Sequence, residues 1–309
     1  MSIKSFLSRQ GQLIKPTELE SLLSAKQRLA AVDASWYMPN NPRNGFKEFL
    51  TQGRLIRNAR YLDVDEVKDP DSPYSHMLPS VEVFNQHAKR LGLPKDDPII
   101  VYDNAGNFSA PRVAWMLEIF GNKNTLLLDN YVEYKAQGFP IDTAEIKEPV
   151  VEANVASFVS SALDKSRVIL FEELKTIVED PAQAARDYVI FDARPNGRFT
   201  GRDPEPRPGL SSGHVPTAIS VPFPTVLDAA SNNQFLSAAA LREVFDKALG
   251  GKPLGDRQVI VMCGSGVTAC VIERAVRIAG LTDKPVRVYD GSWTEWAQRA
   301  DTSLIVKDE

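Results

Sequence analysis

Cys263 and Cys270 are the residues of this sequence that could carry covalent sulfur chemistry, because a thiolate is a strong nucleophile. The apolar run Val259–Met262 ends at Cys263, and the loop Gly264–Thr268 that follows contains two glycines and a serine. Apolar residues then recur at helical spacing. This pattern predicts a strand, a tight turn and a helix, with Cys263 at the helix N-terminus. Backbone N–H groups and the helix dipole would stabilise a thiolate or a persulfide there.

A structural role for Cys263 is the alternative, since unreactive cysteines often serve as small apolar residues at the ends of buried strands. Gly264 and Gly266 favour the reactive interpretation, because they let the backbone curl around a large atom. Cys270 follows seven positions after Cys263, in the predicted helix, where packing is the simpler role. That spacing is poor geometry for a disulfide, so both thiols are expected to be free in a reducing compartment.

Arg198 and Arg207 lie in a loop rich in proline and glycine, DARPNGRFTGRDPEPRPG, which begins at the end of the strand that contains Asp192. The carboxyl ends of parallel strands border the ligand crevice of α/β sheets. A planar guanidinium group matches a carboxylate, so these two arginines are candidates to hold an anionic substrate. Solvated loop arginines are the alternative, and Arg194 and Arg202 are expected to be structural or surface residues.

Three histidines could serve an acid–base step, namely His76, His87 and His214. His214 most simply holds its own loop by hydrogen bonds, and His87 falls in a helical pattern at a surface position. His76 lies in the turn-rich stretch DSPYSHMLP. Ser265, two residues after Cys263, could join a proton transfer if a histidine reached it. Spacing along the chain alone does not show which histidine, if any, contacts Ser265, and an ordinary loop role for His76 stays open.

An internal repeat of about 160 residues relates the two halves of the chain. AAVDASWYMP around Asp33 matches VIFDARPNGR around Asp192, and IIVYDNAGNFSAPRVAW matches VIVMCGSGVTACVIERA with Asp103 opposite Cys263. A third pair, LLLDNYVEYKAQGFP and VRVYDGSWTEWAQRA, has nearly the same offset. Three landmarks with one period indicate two similar domains.

Short β-branched runs such as Val189–Phe191 and Val259–Val261 alternate with helical patterns. The predicted fold class is therefore α/β, with two tandem domains, each a mostly parallel sheet with helices on both faces. Residues 141–165 have no partner in the repeat and are predicted to be a linker. A first domain at 10–140 and a second at 166–305 follow.

The loop CGSGVTA resembles the active-site loop of 3-mercaptopyruvate sulfurtransferases, a family within the rhodanese superfamily. SGHVPTA and YDGSWTEW are similar to other signatures of that family, and the resemblance extends over nearly all of residues 13–300. It implies a tandem pair of rhodanese-like domains in which only the second has the catalytic cysteine, here Cys263. Asp103 stands at the cysteine position of the first domain, which therefore cannot form a persulfide.

The same resemblance implies roles for further residues. The pattern GRF…PEPR makes Arg198 and Arg207 the substrate arginines. The pattern LDVD…SPYSHMLP makes Asp65 and His76 the acid and the imidazole of a relay with Ser265, across the domain interface. The other loop residues expected at the substrate are Gly264, Gly266, Val267 and Thr268.

The neutral residues Gly264 and Ser265 favour 3-mercaptopyruvate as the sulfur donor. Rhodaneses that prefer thiosulfate, a dianion, generally have basic residues directly after the cysteine, and two missing cations matter more for a dianion than for a monoanionic carboxylate. The expected enzyme is a 3-mercaptopyruvate sulfurtransferase with weaker thiosulfate activity, which forms a Cys263 persulfide and releases pyruvate. No cofactor or metal is expected.

Competing functions share the same cysteine. Some fungal sulfurtransferases, which this chain resembles in GNFSAPR and DGSWTEW, are implicated in tRNA thiolation. A sulfur-relay carrier that takes persulfide from a desulfurase and passes it to a tRNA-thiolation protein is therefore an alternative, as is a thiosulfate sulfurtransferase. Dual-specificity phosphatases of this fold require an arginine six positions after the cysteine, where this sequence has Ala269. The intact loop disfavours a catalytically dead scaffold.

Composition excludes several classes of partner. The 309 residues carry a net charge of −4, so nothing suggests direct nucleic-acid binding. No run approaches the roughly 20 apolar residues of a membrane span. Expected partners are 3-mercaptopyruvate and thiol acceptors, either small thiols or thioredoxin-like proteins. The chain is expected in the cytoplasm, and a mitochondrial share is the alternative because the residues before Glu18 are basic and acid-free.

Overall fold

The computed structural model describes residues 3–148 and 157–308. The chain divides into two compact units. The first comprises Met1–Pro70, Leu78–Asp164 and Asp228–Gln234, and the second comprises Asp71–Met77, Lys165–Leu227 and Phe235–Glu309. Each unit therefore includes one short segment from the other half of the sequence. His76 lies in such a segment and belongs to the second unit.

The first unit contains a five-stranded parallel sheet with the strand order β1-β5-β4-β2-β3. Its strands are β1 (Leu13–Ile14), β2 (Ala30–Asp33), β3 (Arg60–Tyr61), β4 (Ile99–Tyr102) and β5 (Thr125–Leu128). Its helices are α1 (Ile3–Leu7), α2 (Pro16–Ser24), α3 (Gly45–Thr51), α4 (Val81–Arg90), α5 (Ala110–Ile119) and α6 (Tyr131–Ala136). The strands β2, β4 and β5 are buried along their whole length, as parallel strands covered by helices are.

The second unit contains a sheet of the same kind, with the order β6-β12-β11-β7-β8. Its strands are β6 (Val168–Ile169), β7 (Tyr188–Asp192), β8 (Ile219–Ser220), β11 (Gln258–Met262) and β12 (Arg287–Tyr289). Its helices are α7 (Phe171–Val178), α8 (Pro181–Asp187), α9 (Asn196–Thr200), α10 (Ala238–Ala248), α11 (Ala269–Ala279) and α12 (Ser292–Arg299). The short strands β9 (Leu227–Asp228) and β10 (Gln234–Phe235) form a separate two-stranded sheet.

The two five-stranded sheets correspond strand by strand, since β6, β12, β11, β7 and β8 take the places of β1, β5, β4, β2 and β3. The predicted α/β fold with two mostly parallel sheets is confirmed. The predicted linker at 141–165 includes residues 149–156, which lie outside the described residues. On either side of them, Asp142 bridges to Arg54 and Ser157 bridges to Pro94, all within the first unit.

The strand β11 and the helices α11 and α12 hold the cysteine loop. β11 pairs with β7 and β12, and Val259–Met262 are fully buried between the helical layers. α11 buries nine of its residues, Cys270 among them. α12 places Trp293 and Trp296 in the same core as β11. Because all three elements are anchored by buried apolar side chains, the loop between them has a defined position.

Candidate functional site

The Cys263 loop joins β11 to α11 at the carboxyl end of the sheet. Cys263 is 2% exposed. Gly266 has a φ of +80°, a left-handed conformation that favours glycine. α11 begins at Ala269 and runs for 11 residues. The strand, turn and helix expected around the cysteine are therefore present, and Cys263 follows directly after β11, ahead of α11.

The first turn of α12 holds the backbone of this loop. The Cys263 N–H donates to Ser292 Oγ at 3.1 Å, and the Trp293 N–H donates to the Cys263 carbonyl at 2.9 Å. Thr294 donates to the Gly264 carbonyl from its N–H at 2.9 Å and from its hydroxyl at 2.7 Å. Ser292 and Thr294 have no role in the sequence predictions, although the motif YDGSWTEW that contains them is a signal that points to them.

Several N–H groups of the loop remain for a ligand. Within residues 3–148 and 157–308, no protein atom accepts a hydrogen bond from the N–H groups of Gly264, Ser265, Val267 or Thr268. Backbone N–H groups in buried surroundings almost always have a partner. This cluster is therefore suited to an anion beside Cys263.

His76 reaches the same loop. Its Nδ1 lies 2.8 Å from Ser265 Oγ, across 189 positions of sequence. The two residues are 2% and 6% exposed, respectively. His76 has a φ of +64°, which is uncommon for a residue with a Cβ atom. The hydrogen bond between hydroxyl and imidazole gives Ser265 a route for proton exchange.

Asp65, the predicted acid of the relay, lies in the first unit. Its Oδ2 accepts a hydrogen bond from the Trp36 indole N–H at 2.6 Å. Its backbone N–H donates to Asp63 Oδ1 at 2.8 Å. The Trp36 ring in turn stacks on Phe108 with the ring centroids 6.0 Å apart. A part for Asp65 in proton transfer stays a prediction.

The guanidinium groups of Arg198 and Arg207 lie over Gly264. A Cβ atom built on Gly264 would be 3.2 Å from Arg198 Nη2 and 3.7 Å from Arg207 Nη1. Arg198 is in α9, and Arg207 follows in the proline-rich loop. The structure thus brings both predicted substrate arginines to the residue next to Cys263. Two cations at this place can bind the carboxylate of a small substrate.

Glu205 connects two arginines of this loop. Its Oε2 accepts from Arg198 Nε at 3.1 Å and Nη2 at 2.5 Å, and its Oε1 accepts from Arg194 Nη1 at 2.8 Å. Although burial opposes its charge, Asp192 and Glu205 hold the pKa of Arg194 above its ordinary value. Glu205 is absent from the sequence predictions. The acid inside the pattern PEPR, two residues before Arg207, is the signal that could have found it.

The first unit has the corresponding loop with Asp103 in place of the cysteine. Asp103 Oδ2 accepts from the N–H groups of Phe108, Ser109 and Ala110 at 3.0, 3.0 and 2.7 Å, and Oδ1 accepts from Ala105 at 2.9 Å. Burial raises the pKa of the Asp103 carboxyl, and these N–H groups oppose the rise. This loop binds a carboxylate of its own chain where the other loop has a thiol.

The remaining candidates are His214, His87 and Cys270. His214 Nδ1 lies 3.0 Å from the Phe199 carbonyl and its ring stacks on Phe199, which agrees with a role in holding its loop. His87 belongs to α4 in the first unit. Cys270 is fully buried.

In the described part of the chain, no group of three His, Cys, Asp or Glu side chains could hold a metal ion. Of the described helices, none is long and apolar enough to span a membrane.

Known proteins resemble this chain over almost its whole length. The family model of the rhodanese-like domain matches residues 170–299, which include the Cys263 loop, both arginines and α12. The thiosulfate sulfurtransferase TUM1 of Saccharomyces cerevisiae is 34% identical over 96% of this chain and 98% of its own. A probable 3-mercaptopyruvate sulfurtransferase of Schizosaccharomyces pombe is 38% identical over 93% of each chain.

Solved structures match over almost the same length. The crystal structure of Tum1 from S. cerevisiae has a TM-score of 0.87 at 33% identity and covers 96% of this chain and 98% of that chain. The sub-stoichiometric sulfur transferase subunit of yeast mitochondrial complex I has a TM-score of 0.82 at 39% identity, with coverage of 96% and 99%.

Proposed function

Because this chain belongs to the rhodanese-like sulfurtransferase family, we propose that it transfers sulfur from 3-mercaptopyruvate to Cys263 as a persulfide and releases pyruvate. The observation that carries this proposal is the position of Arg198 and Arg207 over Gly264, directly beside the buried Cys263. Two cations at that point suit an anionic donor whose sulfur has to reach the thiol.

The proposed transfer begins when the Cys263 thiolate attacks the sulfur of 3-mercaptopyruvate. An S–S bond forms, the C–S bond breaks, and the electron pair stays with C3 of the departing pyruvate enolate. The donor thiol gives up its proton and C3 receives one, so the products are pyruvate and a persulfide anion. The N–H groups of Gly264, Ser265, Val267 and Thr268 would stabilise that anion.

Arg198 and Arg207 orient the donor in this proposal. The carboxylate of 3-mercaptopyruvate would lie between the two guanidinium groups, which supply paired N–H donors in a plane. Binding the carboxylate at one end fixes the mercapto sulfur at the other end. Proximity of this kind makes an attack by one thiol on one sulfur efficient.

Ser265 and His76 move the proton in this proposal. The hydroxyl is hydrogen-bonded to the imidazole at 2.8 Å, and it stands two residues after the thiol. The pair would take the proton of the donor thiol and return one to C3 of the enolate. Asp65 is proposed as the acid that assists His76, and the family resemblance supports that part.

The proposed domain roles follow the two halves of the repeat. Residues 10–140 form a non-catalytic rhodanese-like domain, residues 141–165 a linker and residues 166–305 the catalytic domain. The carboxylate of Asp103 inside the first loop supports the non-catalytic role, since the thiol position is occupied by an acid.

The persulfide is proposed to pass to small thiols or to a thioredoxin-like protein in the cytoplasm, and a share of the protein is proposed to be mitochondrial. The name of the S. cerevisiae relative favours thiosulfate as a second donor. A carrier that takes its sulfur from a desulfurase and delivers it to a tRNA-thiolation protein would use the same cysteine. No nucleic acid or membrane contact is part of either reaction.

Steady-state kinetics with both donors test this proposal. Pyruvate should form from 3-mercaptopyruvate in proportion to the sulfur received by dithiothreitol or thioredoxin, and thiosulfate should be used less efficiently. A carrier would show slow turnover with small thiols and fast turnover with a protein acceptor. Absence of pyruvate with every acceptor would exclude the proposed reaction.

A further inference from the structure

Glu205 is a buried acid inside a cationic site, and the reaction proposed above gives it no role. Its side chain is 2% exposed, and its two oxygens are bonded to Arg198 and Arg194. We propose that Glu205 determines the choice of sulfur donor, by lowering the net charge of the site so that it matches a monoanionic donor better than a dianionic one. This inference rests on the proposed function.

The charge balance follows from the ion pairs. Asp192 pairs with Arg194 through Oδ2 at 2.6 Å, so this pair is neutral. Glu205 then offsets one of the two remaining cations, Arg198 and Arg207. A single positive charge is left over Gly264, where both guanidinium groups lie.

One positive charge matches the carboxylate of 3-mercaptopyruvate, whose thiol is mostly uncharged at neutral pH. Thiosulfate brings a second negative charge, which would approach the Glu205 carboxylate without a cation of its own. At an effective dielectric of about 20 and a separation of several ångströms, one such charge changes binding by roughly tenfold or more.

Glu205 also restricts the orientation of Arg198. It binds the edge of the guanidinium group formed by Nε and Nη2, and this leaves Nη1 for a ligand. Two substitutions of Glu205 can therefore separate the effect of its charge from the effect of its geometry. Glu205→Asp keeps the charge with altered geometry, whereas Glu205→Gln removes the charge at similar size.

The quantity to measure is the donor ratio, defined as kcat/KM for thiosulfate divided by kcat/KM for 3-mercaptopyruvate. Glu205→Gln should raise this ratio about tenfold, mainly through a lower KM for thiosulfate. Glu205→Asp should keep the wild-type ratio even where both rates fall. Asp203→Asn is the matched control, because it removes an exposed carboxylate from the same loop, whereas the carboxylate paired with Arg198 is that of Glu205. Asp203→Asn should also keep the wild-type donor ratio.

A donor ratio does not depend on the fraction of enzyme that is folded, so a poorly stable variant still gives an answer. Where turnover is too slow, sulfur loading of Cys263 can be followed by intact mass in a single turnover with each donor. A ratio for Glu205→Gln within twofold of wild type would overturn the inference. An equal change in Glu205→Asp or in Asp203→Asn would overturn it too, because geometry or general loop charge would then set the preference.

Wild-type enzyme separates this inference from the proposed function. If wild type forms no Cys263 persulfide from 3-mercaptopyruvate, the proposed function fails. If wild type forms it and the ratio does not respond to Glu205→Gln, only the role of Glu205 fails.

Discussion

Asp103 and Cys263 follow equivalent strands, β4 and β11, and each begins a loop that leads into a buried helix. Gly106 and Gly266, three residues further on, both have a positive φ, +86° and +80°. The two loops therefore share a backbone conformation at the same point. They differ in the group that they surround, which is a carboxylate in the first unit and a thiol in the second.

The hydrogen bonds of the first loop indicate which kind of group the second loop can bind. In the first, the N–H groups of Ala105 and Phe108 donate to the Asp103 carboxylate. In the second, the N–H groups of Ser265 and Thr268 occupy the matching positions and have no acceptor among the described residues. A loop of this shape can surround an anion, and a thiolate or persulfide on Cys263 is the anion that we propose there.

Each unit also has a buried acid at the end of the neighbouring strand, and the two acids differ in their partners. Asp192 is paired with Arg194 two residues later, whereas Asp33, its counterpart, has Ser35 at that position. Ser35 donates its backbone N–H to Asp33 Oδ1 at 2.9 Å. Burial raises the pKa of Asp33 to about 7, and the nearby Asp103 adds to the rise. The second unit thus has an arginine paired with its buried acid, at a position where the first unit has Ser35.

Replacing the thiol should have the largest effect. Cys263→Ser is expected to abolish turnover with either donor, because the serine oxygen cannot carry the transferred sulfur. After incubation with 3-mercaptopyruvate and no acceptor, intact mass spectrometry should find one added sulfur atom on wild type and none on Cys263→Ser.

Cys270→Ala is the control, since it removes the other thiol and should keep the added sulfur. Sulfur on Cys263→Ser would contradict the nucleophile assignment.

Asp103→Cys puts a thiol into the first loop and therefore tests whether a cysteine at this position is enough for turnover. We expect no turnover in Asp103→Cys/Cys263→Ser, because Arg198 and Arg207, which bind the donor in our proposal, lie over Gly264 of the second loop.

The relay should matter for one donor only. Ser265→Ala or His76→Ala is expected to slow the 3-mercaptopyruvate reaction by about 10²-fold, the lower range for lost acid–base help. Thiosulfate has no proton to lose at neutral pH, so its weaker reaction should change little. Rates for both donors at equal ionic strength check this. If His76→Ala slows both donors equally, His76 supports the structure and does not move a proton.

The substrate arginines should have a smaller effect. Arg198→Ala and Arg207→Ala are each expected to lower kcat/KM for 3-mercaptopyruvate about tenfold to hundredfold, mostly through KM, since a lost charge-assisted contact costs about 1.5–3 kcal/mol. Arg202→Ala is the matched control, because Arg202 is an exposed arginine of the same loop bonded to Thr200 and Asn196. Unchanged kinetics in both test variants would show that Arg198 and Arg207 are solvated loop residues that do not bind the substrate.

Asp33, the buried acid of the first unit, should affect stability and leave the chemistry unchanged. A raised pKa means that Asp33 favours the folded state when protonated, so its contribution is present below about pH 4 and is lost as the pH rises through about 7. Asp33→Asn should remove up to about 4 kcal/mol of this pH dependence.

Thermal unfolding between pH 4 and pH 8 measures that effect. Tm of Asp33→Asn should fall less than that of wild type over this range. Asp96→Asn, an exposed acid in the same unit, should follow wild type. Parallel Tm curves for Asp33→Asn and wild type would show that Asp33 is not protonated in the folded protein.

Much of the fold was predictable because its signals are local. The β-branched run Val259–Val261 lies inside β11, and Val189–Phe191 lies inside β7. The family inferred from CGSGVTA is confirmed by relatives that span nearly the whole chain. Ser292, Thr294 and Glu205 were not predicted as site residues, since a serine, a threonine and an acid have many ordinary uses and only their contacts distinguish them.

By itself, the sequence determined the strand, turn and helix around Cys263 and the two similar sheets, because hydrophobic period and glycine position act over a few residues. Only the tertiary structure decided which distant side chains meet. It places His76 2.8 Å from Ser265, and it joins Glu205 to both Arg194 and Arg198. Such contacts depend on how strands and loops pack in space, and no spacing along the chain encodes them.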